Sequence, residues 1–427
     1  MLLGMAGLCL RQKRGDDWWF ARFPNALQVS DFSNDRYMRD GVDALAASNF
    51  GCVRSSGHSD YALGVTNEFE PFADGTPRTT GNGVLAEAVG NRVTNFPHTP
   101  STNGALVMAG GVAAPGVFLG IFSDAMRVSS NGENWHRLIL GGANFAATTG
   151  VPYGFVAFYQ AGTSGRVRVV LRDETGAVDS SCSGPVGAVS VEGDWAGVIS
   201  HLSEVLIADG VYMLRGIITP NATSGYSIAV GPDSTVIGED VVVIAGWVED
   251  TFPSSPILFN PAGTSARAAD VVSDPAPADW LADAITVVLE TDEINIPAGG
   301  EGFLFSLSDG SLTNCIELKI DGTGMLAGRV NDIGIGAQLI FGTQAANDGL
   351  LHKIALSWDR ATGGVALSLD GGLPEEVTAK NVPAAAALGQ MNLLSSFGGT
   401  LQPNGVCRCF AVLPGFRTGS ALQALTS

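Results

Sequence analysis

The stretch whose reading decides the fold is Phe303-Leu304-Phe305-Ser306-Leu307-Ser308-Asp309-Gly310, continuing Ser311-Leu312-Thr313-Asn314-Cys315-Ile316-Glu317-Leu318-Lys319-Ile320-Asp321-Gly322. Phe303, Phe305 and Leu307 take alternate positions, and Asp309-Gly310 breaks the run. Ile316, Leu318 and Ile320 then alternate with Glu317 and Lys319 before Asp321-Gly322. Successive side chains of a strand point to opposite faces, so each run has one apolar face. Asp-Gly pairs supply the backbone conformations that tight hairpin turns need. Ile354, Leu356 and Trp358 repeat the pattern, as do Val365, Leu367 and Leu369 ahead of Asp370-Gly371-Gly372. Strand, Asp-Gly, strand, repeated in this way, predicts an antiparallel sandwich over residues 284–427.

Working outward, residues 101–250 predict a second sandwich of similar type. Its candidate strands are Ala105 to Ala109, Val117 to Phe122, His136 to Leu140, Tyr153 to Tyr159, Arg166 to Arg172, Val211 to Ile218, Tyr226 to Val230 and Val236 to Val248. Val167, Val169 and Leu171 form an apolar face opposite Arg166, Arg168, Val170 and Arg172. Between the two regions, Pro253, Pro256 and Pro261 remove three amide donors and favour extended backbone. Residues 251–283 therefore read as a strap along a sheet edge rather than a central strand or helix. Residues 1–100 are short apolar runs broken by glycines and read as an irregular N-terminal attachment and oligomerisation segment. The expected fold class is all-β: two tandem antiparallel β-sandwich (jelly-roll) domains preceded by that segment.

Composition agrees and excludes several function classes. A chain of 427 residues with 56 Gly and 20 Pro favours several β-rich domains over helical ones. Only 15% of residues are charged while 45% are apolar, which is a folded protein with a neutral polar surface. The net charge of −19 opposes binding to nucleic acid or to anionic membranes. Met1 to Leu10 is apolar, but its basic residues Arg11, Lys13 and Arg14 follow the run, so no secretory signal or membrane insertion is expected. Six scattered cysteines, including Cys407 and Cys409 on one strand face, read as buried thiols.

Glu249-Asp250-Thr251-Phe252-Pro253-Ser254-Ser255-Pro256-Ile257 followed by Ala266-Arg267-Ala268-Ala269-Asp270 resembles a signature of virion surface proteins. These are the tail-fibre and head-spike proteins of bacteriophages and of phage-like gene transfer agents. Phe32-Ser33 to Tyr37, Asp40-Gly41 and Thr76-Pro77-Arg78 follow the order seen in that family. Gly83-Val84-Leu85-Ala86-Glu87-Ala88-Val89-Gly90-Asn91 is similar to its Gly-Leu-Leu-x-Glu-Ala-Arg-Thr-Asn motif, with Val89 and Gly90 in place of Arg and Thr. The resemblance implies a carbohydrate-binding-module-like jelly roll over 101–250 and a concanavalin A/laminin-G-like sandwich over 284–427 that ends in a short helix over Ser420 to Leu425. It also implies a non-enzymatic protein of the virion surface, made in the bacterial host cytoplasm. Its implied partners are other virion proteins, capsid or tail, and host surface polysaccharide, with the chain itself a homo-oligomer.

On this reading Trp135, Trp195, Tyr153 and Tyr159 are the candidate sugar-stacking aromatics, and Trp18, Trp19, Phe20, Arg11 and Arg14 the candidate virion-docking cluster. No metal site is expected. Calcium stays open, because Asp309, Asp321 and Asp332 are turn residues with hard oxygen ligands. Asp292-Glu293 and Glu375-Glu376 are adjacent, and strand neighbours point to opposite faces, so neither predicts a general acid/base pair. The histidines share no ligand spacing, and His352, opposite an apolar strand face, is expected to be exposed. The rival readings are a polysaccharide-degrading enzyme on a β-fold and a purely structural decoration protein.

Overall fold

The structure is a computed structural model. It describes residues 22–32, 36–40, 42–44, 50–54, 61–63, 69–71, 78–80, 83–86, 112–114, 116, 118, 125–132, 137–173, 179–192, 198–208, 210–249, 270–274, 277–279, 281–292, 294, 296, 300–333, 335–398, 401–403 and 405–427. Among them the strands pair antiparallel throughout, and the described residues are all-β apart from short helical pieces, of which Gly419–Thr426 is an α-helix.

Among the described residues, one sandwich is built from strands between Val112 and Glu249. A sheet in the order Ile199–Ala208, Val211–Ile218, Tyr153–Gln160, Asp240–Glu249, Met126–Ser129, Val112–Ala113 faces a second sheet. The order of the second is Leu138–Ala147, Ser224–Pro232, Arg166–Asp173, Asp179–Pro185, Ser190–Val191. Val167, Val169 and Leu171 meet Phe155, Ala157, Val241 and Val243 in the core between them, as the alternation requires. The first sheet is apolar on its other face too: Val156, Phe158, Val242, Ile244 and Trp247 form a separate cluster there. Phe158 stacks on Trp247 with ring centroids 5.3 Å apart.

The other sandwich is not confined to residues 284–427. Its larger sheet runs Glu375–Val377, Gly364–Leu369, His352–Asp359, Ala284–Asp292, Gly405–Pro414, and then crosses to the N-terminal strands Gln28–Asp31, Arg36–Arg39 and Val42–Ala44. Gln28 registers with Val412 and Asp31 with Cys409. Gly83–Ala86 pairs with the start of Gly405–Pro414, and Arg78–Thr80 pairs with Gly83–Ala86. The facing sheet runs Gly336–Ala345, Met325–Asp332, Cys315–Ile320, Gly302–Ser308, Gln390–Leu393, Asp270–Asp274, Gly51–Arg54. Phe32, Tyr37, Phe50, Cys52 and Val84 are buried in the same core as Leu318, Leu356, Trp358 and Phe410.

Apart from the separate hairpin of Tyr61–Leu63 and Phe69–Pro71, the described strands of 1–100 are thus components of this sandwich, where the sequence reading placed a preceding attachment segment. Asp270–Asp274, within the stretch read as a strap, is paired on both sides. The three prolines of that stretch lie outside the described residues. The difference has a plain cause: strand partners far apart in sequence leave no local trace in composition or turn signals.

Candidate functional site

The outer face of the sheet containing Gly302–Ser308 carries the most unusual chemistry. Phe305, Leu307, Ile316, Leu318, Met391 and Leu393 point into the core. Their strand neighbours Ser306, Glu317 and Asn392 point away from it, and register places them in one row, with Ser306 opposite both Glu317 and Asn392. The row extends to Arg329 on one side and Ser273 on the other. An outward polar face is ordinarily solvated, yet Ser306 is 1% exposed and Glu317 and Asn392 are 0% exposed.

Part of the cover is visible. The chain leaves Gln390–Leu393, turns through Leu394 and doubles back over the row. Asn392 Nδ2 donates to the Ser396 carbonyl at 2.8 Å and Gln390 Nε2 to the Phe397 carbonyl at 2.9 Å. The segment is pinned at both ends on the strand bulge at Phe303 and Leu304. Leu394 N donates to Leu304 O, and Phe303 N to Leu401 O. Leu394 and Leu401 have φ of 52° and 53°, a left-handed conformation that costs a branched side chain strain. Beside the row, the Phe303 ring lies under both Lys319 and Arg329.

Glu317 pairs with Arg329 through Oε2. Burial pushes its carboxyl above the ordinary value, against the pull of that guanidinium. Its Oε1 has no N–H or O–H partner, with only the Cys315 thiol beside Glu317, and Ser306 Oγ, Asn392 Oδ1 and Ser395 Oγ have none either. Buried polar atoms normally find partners, so four such atoms under one returning segment mark the place as special. Cys315, one residue pair along, is a buried thiol pushed up to about 12 by burial and by Glu317.

The first sandwich holds a second polar network, in which the acidic groups are paired. Tyr159 donates to Glu204 at 2.6 Å, and the other oxygen of Glu204 accepts from Val189 N at 2.9 Å. Arg168 and Ser181 both bond Glu192. Burial, then the Glu204 charge, drive the Tyr159 hydroxyl far above its ordinary pKa, and Cys182 is raised by burial and the same acidic neighbours. Tyr159 and Cys182 therefore stay protonated, and the hydrogen bonds of the network tie neighbouring strands together.

Tyr153 and Tyr159 are corrected by this placement. Both lie in the core, because Tyr153–Gln160 is paired on both sides and these positions share its inward face. The Tyr153 hydroxyl accepts from Thr148 N at 3.0 Å, and neither ring is open to stack on a sugar. Trp135 and Trp195 lie outside the described residues, as do Trp18, Trp19, Phe20, Arg11 and Arg14.

Asp309 is satisfied within its own turn by Ser311 and Asn314, and Asp321 by Thr323 and Met325 N. Among the described residues no group of three His, Cys, Asp or Glu side chains is arranged to hold a metal. Asp292 pairs with Arg408, and Glu376 accepts from Gly419 N at the start of the terminal helix.

His352 also departs from expectation. It is 5% exposed, with Nδ1 2.7 Å from Asp370 and Nε2 2.9 Å from Asp348. Its strand face is covered because the loop bearing Asp348 and the turn bearing Asp370 fold over it. The polar row and the His352 clamp were both missed by motif reading. The signal for the row was present in Glu317 and Lys319 alternating with leucine and isoleucine; what the sequence lacks is any sign that this polar face is covered.

Neither a protein-family profile nor a curated protein sequence matches this chain. Among solved structures, it is similar to the CBM40 module of Ruminococcus gnavus IT-sialidase bound to alpha2,3 sialyllactose. The identity is 14%, over 34% of this chain and 83% of that one, with a TM-score of 0.30. It is similar to the leech intramolecular trans-sialidase at 13% identity over 34% of this chain and 23% of that one, with a TM-score of 0.29. A third is the heptameric SAP-like pentraxin of Limulus polyphemus, at 14% identity over 34% and 70%, with a TM-score of 0.26.

Proposed function

We propose that the protein is a non-enzymatic component of a phage-type particle surface, a tail fibre or head spike, that recognises host cell-surface glycan. The observation that carries this reading is the virion-type signature from Glu249 to Asp270, standing between one sandwich that ends at Glu249 and another that resumes at Asp270. Two antiparallel sandwiches on one chain suit display: one anchors and spaces, the other meets the ligand. Copies assembled as a homo-oligomer raise apparent affinity without new contacts, so each site needs only weak binding. Trp18, Trp19, Phe20, Arg11 and Arg14 form the docking end of this scheme, since aromatics and Arg are what protein interfaces concentrate.

The test is binding of the purified oligomer to susceptible host cells, compared with cells stripped of surface polysaccharide. Loss of binding on stripping is expected, with no release of reducing ends from the isolated polysaccharide. Turnover abolished by a single Asp or Glu substitution would replace the reading with the enzyme one. Undiminished binding to stripped cells would remove glycan recognition.

A further inference from the structure

The row beneath the returning segment 394–398 assigns a ligand chemistry of its own. Glu317 Oε1 and Asn392 Oδ1 are acceptors with no N–H or O–H donor, the Cys315 thiol standing beside Glu317, while Ser306 Oγ and Ser395 Oγ each bring a hydroxyl that both donates and accepts. All four side chains are at most 1% exposed. A phosphate or carboxylate fails here, because it would set its own lone pairs against two acceptor oxygens. An ammonium group fails as well: it cannot accept from the serines, and the one carboxylate is already neutralised by Arg329. Neighbouring hydroxyls satisfy both kinds of atom at once.

Glu317, Ser306 and Asn392 stand on three adjacent strands, so they span about 10 Å across the sheet. That is the length of a short run of sugar rings rather than of a single small alcohol.

We propose that the row Glu317–Ser306–Asn392, with Ser395 above it, is a binding site for the vicinal hydroxyls of a saccharide. The site is reached when the segment 394–398 lifts. The segment is built for this. Its first residue is tied to Leu304 O and is strained, and the Asn392 and Gln390 amides bond its Ser396 and Phe397 carbonyls. Lifting frees the Asn392 amide to meet a hydroxyl in place of the Ser396 carbonyl. The proposal deepens the glycan reading above by placing the site in the second sandwich and on its outer sheet face.

Ser306→Ala and Ser395→Ala are the variants that test it, since each deletes a hydroxyl without a protein partner and should leave the melting temperature at or above that of the wild type. The probe is an immobilised array of bacterial surface oligosaccharides, read with the full-length protein. At least a tenfold loss of binding is expected in both variants for any saccharide the wild type binds, together with slower amide exchange over 394–398 when that saccharide is added to the wild type. Undiminished binding in both variants would overturn the site while leaving glycan recognition in place. So would a crystal soaked in the bound saccharide whose row holds ordered water only. A wild type that binds neither the array nor host cells would overturn the glycan reading itself, and the site with it.

Discussion

His352 is held between two carboxylates, one against each ring nitrogen, an arrangement in which both nitrogens donate only when the ring is protonated. Burial alone would lower its pKa, but the hydrogen bonds and charges of Asp370 and Asp348 outweigh burial and raise it. Asp348 is driven the other way, its own desolvation overcome by the Leu350 amide and by His352. Asp370 is locked from a further side, since its second oxygen accepts from Lys353 N at 2.8 Å. A histidine with a raised folded pKa contributes stability that is fully present below its unfolded pKa of about 6.5 and is lost as pH rises through the folded value. Asp348 adds a contribution present above the ordinary carboxylate pKa and lost as pH falls through its depressed one. Melting temperature should therefore be highest on the acid side of neutrality and decline above about pH 6.5. His352→Gln should be less stable there and should flatten the alkaline decline. An unchanged profile in that variant would show that the clamp contributes nothing to folding.

The hairpin that carries Asp370 illustrates how local chemistry writes an element. Asp370 and Gly371 have φ of 45° and 70°, and Gly372 N returns to Leu369 O at 2.7 Å, the two-residue turn that matches strand twist. That element was legible from Asp-Gly and flanking alternation alone. The strand Val211–Ile218 was likewise legible to the residue, and the terminal helix to within one position at each end. Asp179–Pro185 was not, because Asp-Ser-Ser-Cys-Ser-Gly-Pro has a turn's composition; it becomes a strand by pairing with Arg166–Asp173 and Ser190–Val191. Ile199–Ala208 was hidden by a register shift after Ser200 and by the left-handed φ of His201, which interrupt its alternation. In His352–Asp359, Trp358 is buried against Phe305, and its Nε1 has no partner. Trp358→Ala should cost about 3–5 kcal/mol by opening a cavity. Trp358→Phe should fall within about 1 kcal/mol of the wild type, because the smaller ring also removes an unsatisfied donor. Denaturant melts of the two variants check the contrast, and equal losses would count against the unpaired N–H.

At the scale of the molecule, the described strands of one sandwich all come from 112–249, and those of the other come from both flanks of that stretch. A fragment of residues 112–249 should melt as a single cooperative unit in calorimetry. A fragment of residues 284–427 should not, because it lacks Gln28–Asp31 against Gly405–Pro414, and Asp270–Asp274 with Gly51–Arg54 against Gln390–Leu393. It would expose two unpaired sheet edges and associate through them. A soluble, cooperative 284–427 fragment would contradict the interleaved core. The sequence could not announce this arrangement, since Val29, Phe32 and Phe50 look like any short apolar run until their partners are known. The pairing of Asp31 with Cys409, and of Arg22 with the helix carbonyls at Ala424 and Leu425, also carries a message about timing. On the ribosome the nested sandwich has its described strands early and can close first. The outer one must keep its opening strands unspent until the last ones emerge. The protein is therefore assembled from the inside out, and its outer sandwich can be completed only after the nested one has been made.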